Sequence, residues 1–273
     1  MLRGLYTATA GMLSQQRRME MLSNNLANAN TPGFKADQSS LRAFPELLLS
    51  RMDQTSVPTK QPLKFAQNQQ IGTLNTGVYL QDVAPKFTQG DMRPTGNDTD
   101  LAILNQNLPE GSSIFFTVQH PDGTPRYTRN GNFTMDPEGY LTTNNGLYIL
   151  DETNNRIQIN SNSFNLQPDG TILVNEVPQA RLGITLANNA NDLIRDGNGL
   201  FRASEGQQLQ NANGNPNVSF QVMQGHIERS NVDTAQTMSE MTSAFRAFEA
   251  NQKIIQAYDM SMQKAANEIG RIN

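Results

Sequence analysis

Residues 234–269 read TAQTMSEMTSAFRAFEANQKIIQAYDMSMQKAANEI. Within this run Met238, Met241, Phe245, Phe248, Gln252, Ile255, Asp259, Met262, Ala266 and Ile269 recur at alternating spacings of three and four. That alternation is the 3.5-residue period of a helix that winds around a partner. No proline interrupts the run, and Glu249 stands four positions before Lys253 in the stabilising orientation. Gly270 follows as a stop, and Ser230 with Asp233 three residues later fits a capping box in which Asp replaces Glu. As one helix the run spans about 54 Å. That is long for a chain of 273 residues, and the helix is expected to project.

The other end repeats the pattern at Leu5, Ala8, Met12, Gln15, Met19, Leu22, Leu26 and Ala29. Residues 2 to about 28 predict a helix rich in Ala, Leu, Met, Gln and Arg, weakened at Gly11 by about 1 kcal/mol relative to Ala. Its end is marked by Asn28, Asn30, Thr31, Pro32 and Gly33: Pro32 biases Thr31 away from the helical region, and Gly33 accepts a left-handed turn. A three-four stripe is also the mark of an ordinary core face. Gln15, Gln252 and Asp259 weigh against that, because polar seam residues cost stability and set register between partners. The candidate assembly seams are therefore Leu5, Met12, Met19, Leu22 and Leu26 at one end. At the other they are Met238, Met241, Phe245, Phe248, Ile255, Met262 and Ile269.

Between the ends the pattern changes. Leu41–Arg51 is open to a short helix interrupted at Pro45. From Thr55 to Gly77 the composition of Gln, Asn, Thr, Pro and Gly predicts an extended arm with one or two strands. From residue 81 to about 225 turn signals recur at Pro121-Asp122-Gly123, Asn130-Gly131, Asp136-Pro137-Glu138-Gly139, Asn144-Asn145-Gly146, Asn154-Asn155 and Pro168-Asp169-Gly170. The runs between them are rich in β-branched and aromatic residues. They predict strands at Ile114–Val118, Arg126–Thr128, Asn132–Met135, Tyr140–Thr142, Leu147–Leu150, Ile157–Ile159, Thr171–Val174 and Arg181–Leu186. A turn about every 8 residues suits an antiparallel meander or an open barrel, with loops at Asn188–Gly199 and Gly206–Pro216. The expected fold class is α+β: long terminal helices forming a coiled-coil-like stalk, and a central, mostly antiparallel β domain. The expected segments are an N-terminal helix at 1–35, an arm at 36–80, the β domain at 81–225 and the C-terminal helix at 226–273.

Composition narrows the function. Hydrophobic residues make up 36% with no Trp, and the mean hydropathy is -0.56. That is poor material for one large core, so part of the chain is expected to be extended or ordered only on assembly. A net charge of -4 offers no basic field for nucleic acid. Without cysteine there is no disulfide, thiolate zinc site or cysteine nucleophile. No stretch approaches the roughly 20 apolar residues of a membrane span. The opening MLRGLYTATAGMLSQQRR, broken by Gly4, Thr7, Thr9, Gly11 and Ser14, lacks the apolar core of a cleaved secretion signal.

Catalytic motifs do not emerge. His120 and His226 are the only histidines, and neither has the partner spacing of a metal site. Asn97, Asp98 and Asp100 lack the calcium-loop spacing and read as a solvated turn. There is no phosphate loop, nucleophile elbow or dinucleotide fingerprint. No catalytic residue, cofactor or metal is assigned.

The most specific stretch is Ser23-Asn24-Asn25-Leu26-Ala27-Asn28-Ala29-Asn30-Thr31-Pro32-Gly33-Phe34-Lys35. A helix stop needs only Asn30 to Gly33; the further Asn amides are surplus to it and suited to bonding backbone groups on aligned copies. Asn24, Asn25, Asn28, Asn30, Pro32, Gly33 and Phe34 form a signature that resembles the axial proteins of the bacterial flagellum, the rod and hook subunits. The resemblance continues at Phe87-Thr88-Gln89-Gly90, at Thr95-Gly96-Asn97-Asp98-Thr99-Asp100-Leu101-Ala102-Ile103 and at Tyr127-Thr128-Arg129-Asn130-Gly131-Asn132-Phe133. It extends through Asp136-Pro137-Glu138-Gly139-Tyr140-Leu141 and Glu228-Arg229-Ser230-Asn231-Val232-Asp233 to the helix Phe245–Gln256.

This resemblance implies a structural subunit without catalytic activity or cofactor. The terminal helices would form the inner wall of a hollow helical tube and the β domain its outer layer. The implied partners are further copies, other rod and hook subunits, and the flagellar export apparatus, through which subunits leave unfolded without signal cleavage. The implied location is the basal body. The length favours a rod subunit over the hook protein, which usually carries an additional outer domain; a hook-type subunit is the nearest alternative. From other classes, a secreted β-domain binding or adhesin module and a polysaccharide-acting enzyme stay open. One departure stands out: the family's Asp-Leu-Ala-Ile-x-Gly-x-Gly-Phe-Phe is here Asp100–Ile103, then Leu104 to Ile114, then Phe115-Phe116. That puts a tight hairpin at this point in doubt.

Overall fold

The computed structural model describes residues 2–57, 63–159, 164–204 and 208–269. The architecture is α+β. Among the described residues two α-helices lie at the chain ends, α1 at Leu2–Ala27 and α2 at Thr234–Ile269, and the strands between pair antiparallel. The chain divides into two compact units. One gathers residues 1–24, 38–83 and 235–273, and the other residues 25–37 and 84–234.

In the first unit α1 and α2 run antiparallel. A Cβ on Gly4 would overlap the Tyr258 ring, and one on Gly11 would come within 2.9 Å of Asn251 Nδ2. Arg18 Nη2 donates to Glu240 Oε2 at 3.2 Å. Small residues on α1 thus admit larger ones from α2. On an adjacent flank of α1, Thr7 Oγ1 donates to the Thr76 carbonyl at 3.3 Å and Gly77 packs on Ala10.

The arm departs from expectation. In place of a short helix at Leu41–Arg51 and one or two strands, four strands form: Asp37–Ala43, Leu47–Val57, Leu63–Leu74 and Val78–Pro85. The first pairs with the last, and the middle two form a long ladder with a bulge at Leu49/Ser50. Pro45 denies a helix its amide and instead sits between two strands. Residues 58–62 of the expected arm lie outside the described residues. The Ser230 capping box also fails. The helix begins at Thr234, too late for Ser230 to cap it, and Ser230 Oγ accepts from the Val232 amide in a local turn.

The second unit holds the core. Among the described residues its largest sheet has nine strands, with Ser113–Gln119 as the hub: it pairs with Pro125–Thr128 on one edge and with Tyr148–Ile149 and Ile184–Ala187 on the other. Side chains alternate across this strand. Ile114, Phe116 and Val118 enter one cluster with Leu101, Phe133, Leu141, Ile149, Ile172 and Leu182. Phe115 enters another with Tyr127, Leu193 and Phe201, where Phe87, Phe115 and Phe201 meet with ring centroids 5.3–5.6 Å apart. Both faces of the hub strand are buried, which is why its sequence shows no polar alternation.

A meander does connect Phe133–Met135, Leu141–Thr143 and Tyr148–Ile149, but the sheet then returns to the hub rather than continuing in order. Several expectations change. Arg181–Leu186 is split between strands Val177–Arg181 and Ile184–Ala187 in different sheets. Ile157 and Ile159 are buried, but their stretch makes only isolated bridges. Asn188–Gly199 contains a 3-10 turn at Ala190–Asp192 and the paired strand Leu193–Arg195. Gln210–Asn211 pairs within the expected loop Gly206–Pro216, of which residues 206 and 207 lie outside the described residues. The inserted stretch extends a strand, Leu101–Asn107, that pairs with Ser219–Gln224 and not with the hub, so no tight hairpin forms there.

Candidate functional site

In the second unit three separate sequence blocks converge on Glu228. The turn after α1 places Gly33 at φ 68°, where a Cβ would overlap the backbone of Arg129 and Asn130. Gly33 is therefore fixed both by its left-handed conformation and by close approach. Its amide donates to the Glu228 carbonyl at 2.8 Å. Two residues on, Lys35 Nζ donates to Glu228 Oε1 at 2.6 Å and to the Thr88 carbonyl at 2.8 Å. Arg129 Nε donates to Glu228 Oε2 at 2.7 Å, and the Gly90 amide donates to Oε1 at 2.9 Å. The remaining Arg129 donors reach the carbonyls of Ile114 and Ile103 and Asn105 Oδ1 at 2.7–3.0 Å. Lys35, Arg129 and Glu228 side chains are each about 1% exposed. Asn105 and Ile114 belong to the stretch Leu104–Ile114, so that stretch supplies two acceptors to this cluster.

Two asparagines complete the backbone bonding. Asn25 Nδ2 donates to the Asp37 carbonyl and its Oδ1 accepts from the Asp37 amide, both at 2.8 Å. Asn231 Oδ1 accepts from the Ala36 amide at 2.7 Å, while its Nδ2 donates to the carbonyls of Lys86 and Thr88. Asn28 Oδ1 accepts from Thr31 Oγ1 at 3.2 Å, Pro32 is half-buried, and Asn24 and Asn30 are exposed. Phe34 is buried beneath Arg195, whose guanidinium lies 5.0 Å from the ring and bonds Asp37 Oδ2 and the Lys35 carbonyl.

The charges are set by burial and by each other. Burial pushes the Glu228 carboxyl up, but Arg129 and Lys35 beside it outweigh that and hold it below its ordinary 4.5. Burial lowers the Lys35 ammonium, with Glu228 opposing. The cluster is thus an ionised carboxylate between two buried cations. Asp100, expected in a solvated turn, is buried at 2% exposure and accepts from Asn97 Nδ2 at 3.2 Å. His120 faces Asp122 at 3.0 Å, and His226 Nδ1 lies 2.8 Å from the Gln224 carbonyl. Among the described residues no group of three His, Asp or Glu side chains is placed to hold a metal ion, and no helix is long and apolar enough to cross a membrane.

The seam residues distribute unevenly. On α1, Leu22 is buried and Leu5, Met12, Met19 and Leu26 are half-buried. On α2 the line turned inward runs Thr237, Met241, Ala244, Phe248, Asn251, Ile255, Tyr258, Met262 and Ala265. It shares Met241, Phe248, Ile255 and Met262 with the seam but takes Thr237, Ala244 and Asn251 where the sequence pattern has Met238, Phe245 and Gln252. Met238 and Phe245 remain 52% and 51% exposed. The side chain of Ile269 lies outside the described residues.

Comparison with known proteins gives this geometry a family. The flagellar hook-basal body complex protein FlhO of Bacillus subtilis is 45% identical over 278 residues, covering 100% of both chains. This chain belongs to the flagellar rod and hook protein family. The flagellar basal-body rod protein FlgG of Buchnera aphidicola subsp. Baizongia pistaciae is 33% identical over 97% of this chain and 98% of its own. The basal-body rod protein FlgF of Caulobacter vibrioides is 30% identical over 98% of both. The family described as flagella basal body rod protein matches residues 5–35. The flagellar hook protein FlgE/F/G D1 domain matches residues 111–174, and the flagellar basal body rod FlgEFG protein C-terminal matches residues 223–268.

Those three segments contribute one member each to the buried cluster: Lys35, Arg129 and Glu228. All three residues lie in the blocks that the sequence singles out, but nothing in spacing announces that they meet. Arg195, which seats Phe34, carries no sequence signal at all; it is one exposed-looking charge in a loop-like stretch.

Proposed function

We propose that this rod and hook family member is a structural subunit of the basal-body rod that polymerises into a hollow axial tube transmitting torque to the hook. The observation that carries the reading is where apolar surface stays exposed. Among the described residues the exposed large hydrophobics are Tyr6, Leu13, Met238, Phe245, Ile254 and Met260 on the helices and Leu41, Phe44, Leu47, Leu48, Ile71, Val78 and Val83 on the arm; outside that unit there are only Val177 and Ile194. Among the residues whose burial is described, the same unit buries Ala8, Met21, Leu22, Leu80 and Ala244 of its hydrophobic residues. A monomer rarely spreads this much apolar surface over a unit with so small a core. Covering Met238 or Phe245 with a neighbour contributes about 1.5–3 kcal/mol for each fully buried side chain.

The terminal helices form a coiled-coil-like stalk whose outer flank packs against sister copies, and head-to-tail contacts that do not close give a helical filament. The partners are other copies and other axial rod and hook subunits. The chain reaches them through the flagellar export apparatus, without cleavage of a signal, and works in the basal body. Complementation of a deletion strain tests this. Wild type restores motility and rod-bearing basal bodies, whereas Phe245→Asp restores neither although the protein folds. Full restoration by Phe245→Asp contradicts the reading.

A further inference from the structure

We propose that Glu228 closes a two-ended clasp: the exit of α1, residues 25–37, and the entry to α2, residues 226–234, become ordered together or not at all. The two segments bond each other at four points. Lys35 Nζ and the Gly33 amide bond the side chain and the carbonyl of Glu228. The Ala36 amide bonds Asn231 Oδ1, and the Asn231 amide bonds the Phe34 carbonyl. Residues 226–229 also pair their backbone with Asp91–Pro94, but buried amides and carbonyls need partners, and separating the two segments strands the Gly33, Ala36 and Asn231 amides and the Glu228 and Phe34 carbonyls.

The charges sharpen this coupling. Arg129 is anchored independently of either end by the carbonyls of Ile103 and Ile114, which belong to strands of the β core. It presents one buried positive charge. Docking Lys35 beside it adds a second cation in a site about 1% exposed. Only an anion between them makes that arrangement tolerable, and Glu228 supplies it from a position 193 residues further along the chain than Lys35. Gly90 keeps the third wall close: its amide bonds Glu228 Oε1, and a Cβ there would overlap the Arg229 carbonyl. The clasp is independent of how copies pack in a filament and concerns the single chain.

Hydrogen exchange by mass spectrometry on the full chain tests it, comparing wild type, Glu228→Gln and Asn231→Ala. The reporters are the amides of Gly33, Phe34 and Asp37, whose acceptors are the Glu228 carbonyl, the Thr31 carbonyl and Asn25 Oδ1; neither substitution removes these. The clasp predicts that Glu228→Gln speeds exchange about tenfold or more at these amides and across residues 226–234 alike, while strand Ser113–Gln119 keeps its protection. Asn231→Ala, which strands no buried charge, shows the same paired response at smaller size. Faster exchange confined to 226–234, with Gly33, Phe34 and Asp37 unchanged, overturns the proposal. If Glu228→Gln also strips protection from Ser113–Gln119, Asn231→Ala decides by the same criterion.

Discussion

Lys35 Nζ and Glu228 Oε1 stand 2.6 Å apart with both side chains about 1% exposed, although 193 residues separate them in the chain. Breaking such a pair by removing one partner is costly, about 3–5 kcal/mol, because the other charge stays buried. In this chain the cost is compounded, since Glu228 also answers Arg129.

This pair fixes an acid response. The folded Glu228 carboxyl lies below its unfolded 4.5 because Arg129 and Lys35 outweigh the effect of burial. Its contribution is therefore fully present above about pH 4.5 and is lost as pH falls through the lower folded value. The stability difference between wild type and Glu228→Gln, measured by thermal unfolding from pH 7 to pH 3, is expected to hold constant down to about pH 4.5 and to shrink below it. A difference that grows in acid contradicts the assignment.

Gly33→Ala is expected to destabilise the β unit by about 2 kcal/mol or more, combining a left-handed backbone with steric overlap against Arg129 and Asn130. Urea denaturation monitored by tyrosine fluorescence checks this. An Ala variant within 0.5 kcal/mol of wild type, roughly the scatter of neutral surface changes, refutes the packing described.

Two phenylalanines separate folding from assembly. Phe116 is 1% exposed within the main core, and Phe116→Ala is expected to lower monomer stability by about 3–5 kcal/mol. Phe245 is 51% exposed on α2; Phe245→Asp is expected to leave monomer stability within about 0.5 kcal/mol while preventing filament growth seen by sedimentation. Equal loss of stability in both variants would place Phe245 in the monomer's own core.

Limited proteolysis of the monomer is expected to cut the helix-and-arm unit first, since among the described residues it buries few hydrophobic side chains. The surviving fragment spans about residues 84–234, and mass spectrometry under native conditions finds the segment 25–37 still attached to it through Lys35 and Asn231. Early cleavage within the strand Ser113–Gln119 is the contrary outcome.

Local chemistry was legible in the sequence and long-range pairing was not. Helix limits followed from periodicity and from the Pro32-Gly33 exit, and Thr171–Val174 was marked by the Asp169-Gly170 turn before it. Leu101–Asn107 was missed because its partner, Ser219–Gln224, is more than a hundred residues away and neither strand alternates cleanly. The arm was misjudged at Leu41–Arg51 because local propensity is ambiguous there and pairing with Leu63–Leu74 decides the outcome. On α2 the inward line includes Thr237, Ala244 and Asn251, small or polar residues that a search for large apolar side chains passes over in favour of Met238, Phe245 and the adjacent pattern. Lys35, Arg129 and Glu228 each stood inside a recognisable block, but a charge does not reveal its counterion from sequence.

The absence of cysteine allows the central claim, that the outward flank of α2 is covered by sister copies, to be measured directly. A Phe245→Cys chain that still supports motility gives a single thiol, and its maleimide labelling is compared in the purified monomer and in isolated basal bodies. The account predicts rapid labelling in the monomer and protection in the assembled rod; equal labelling in both would contradict it.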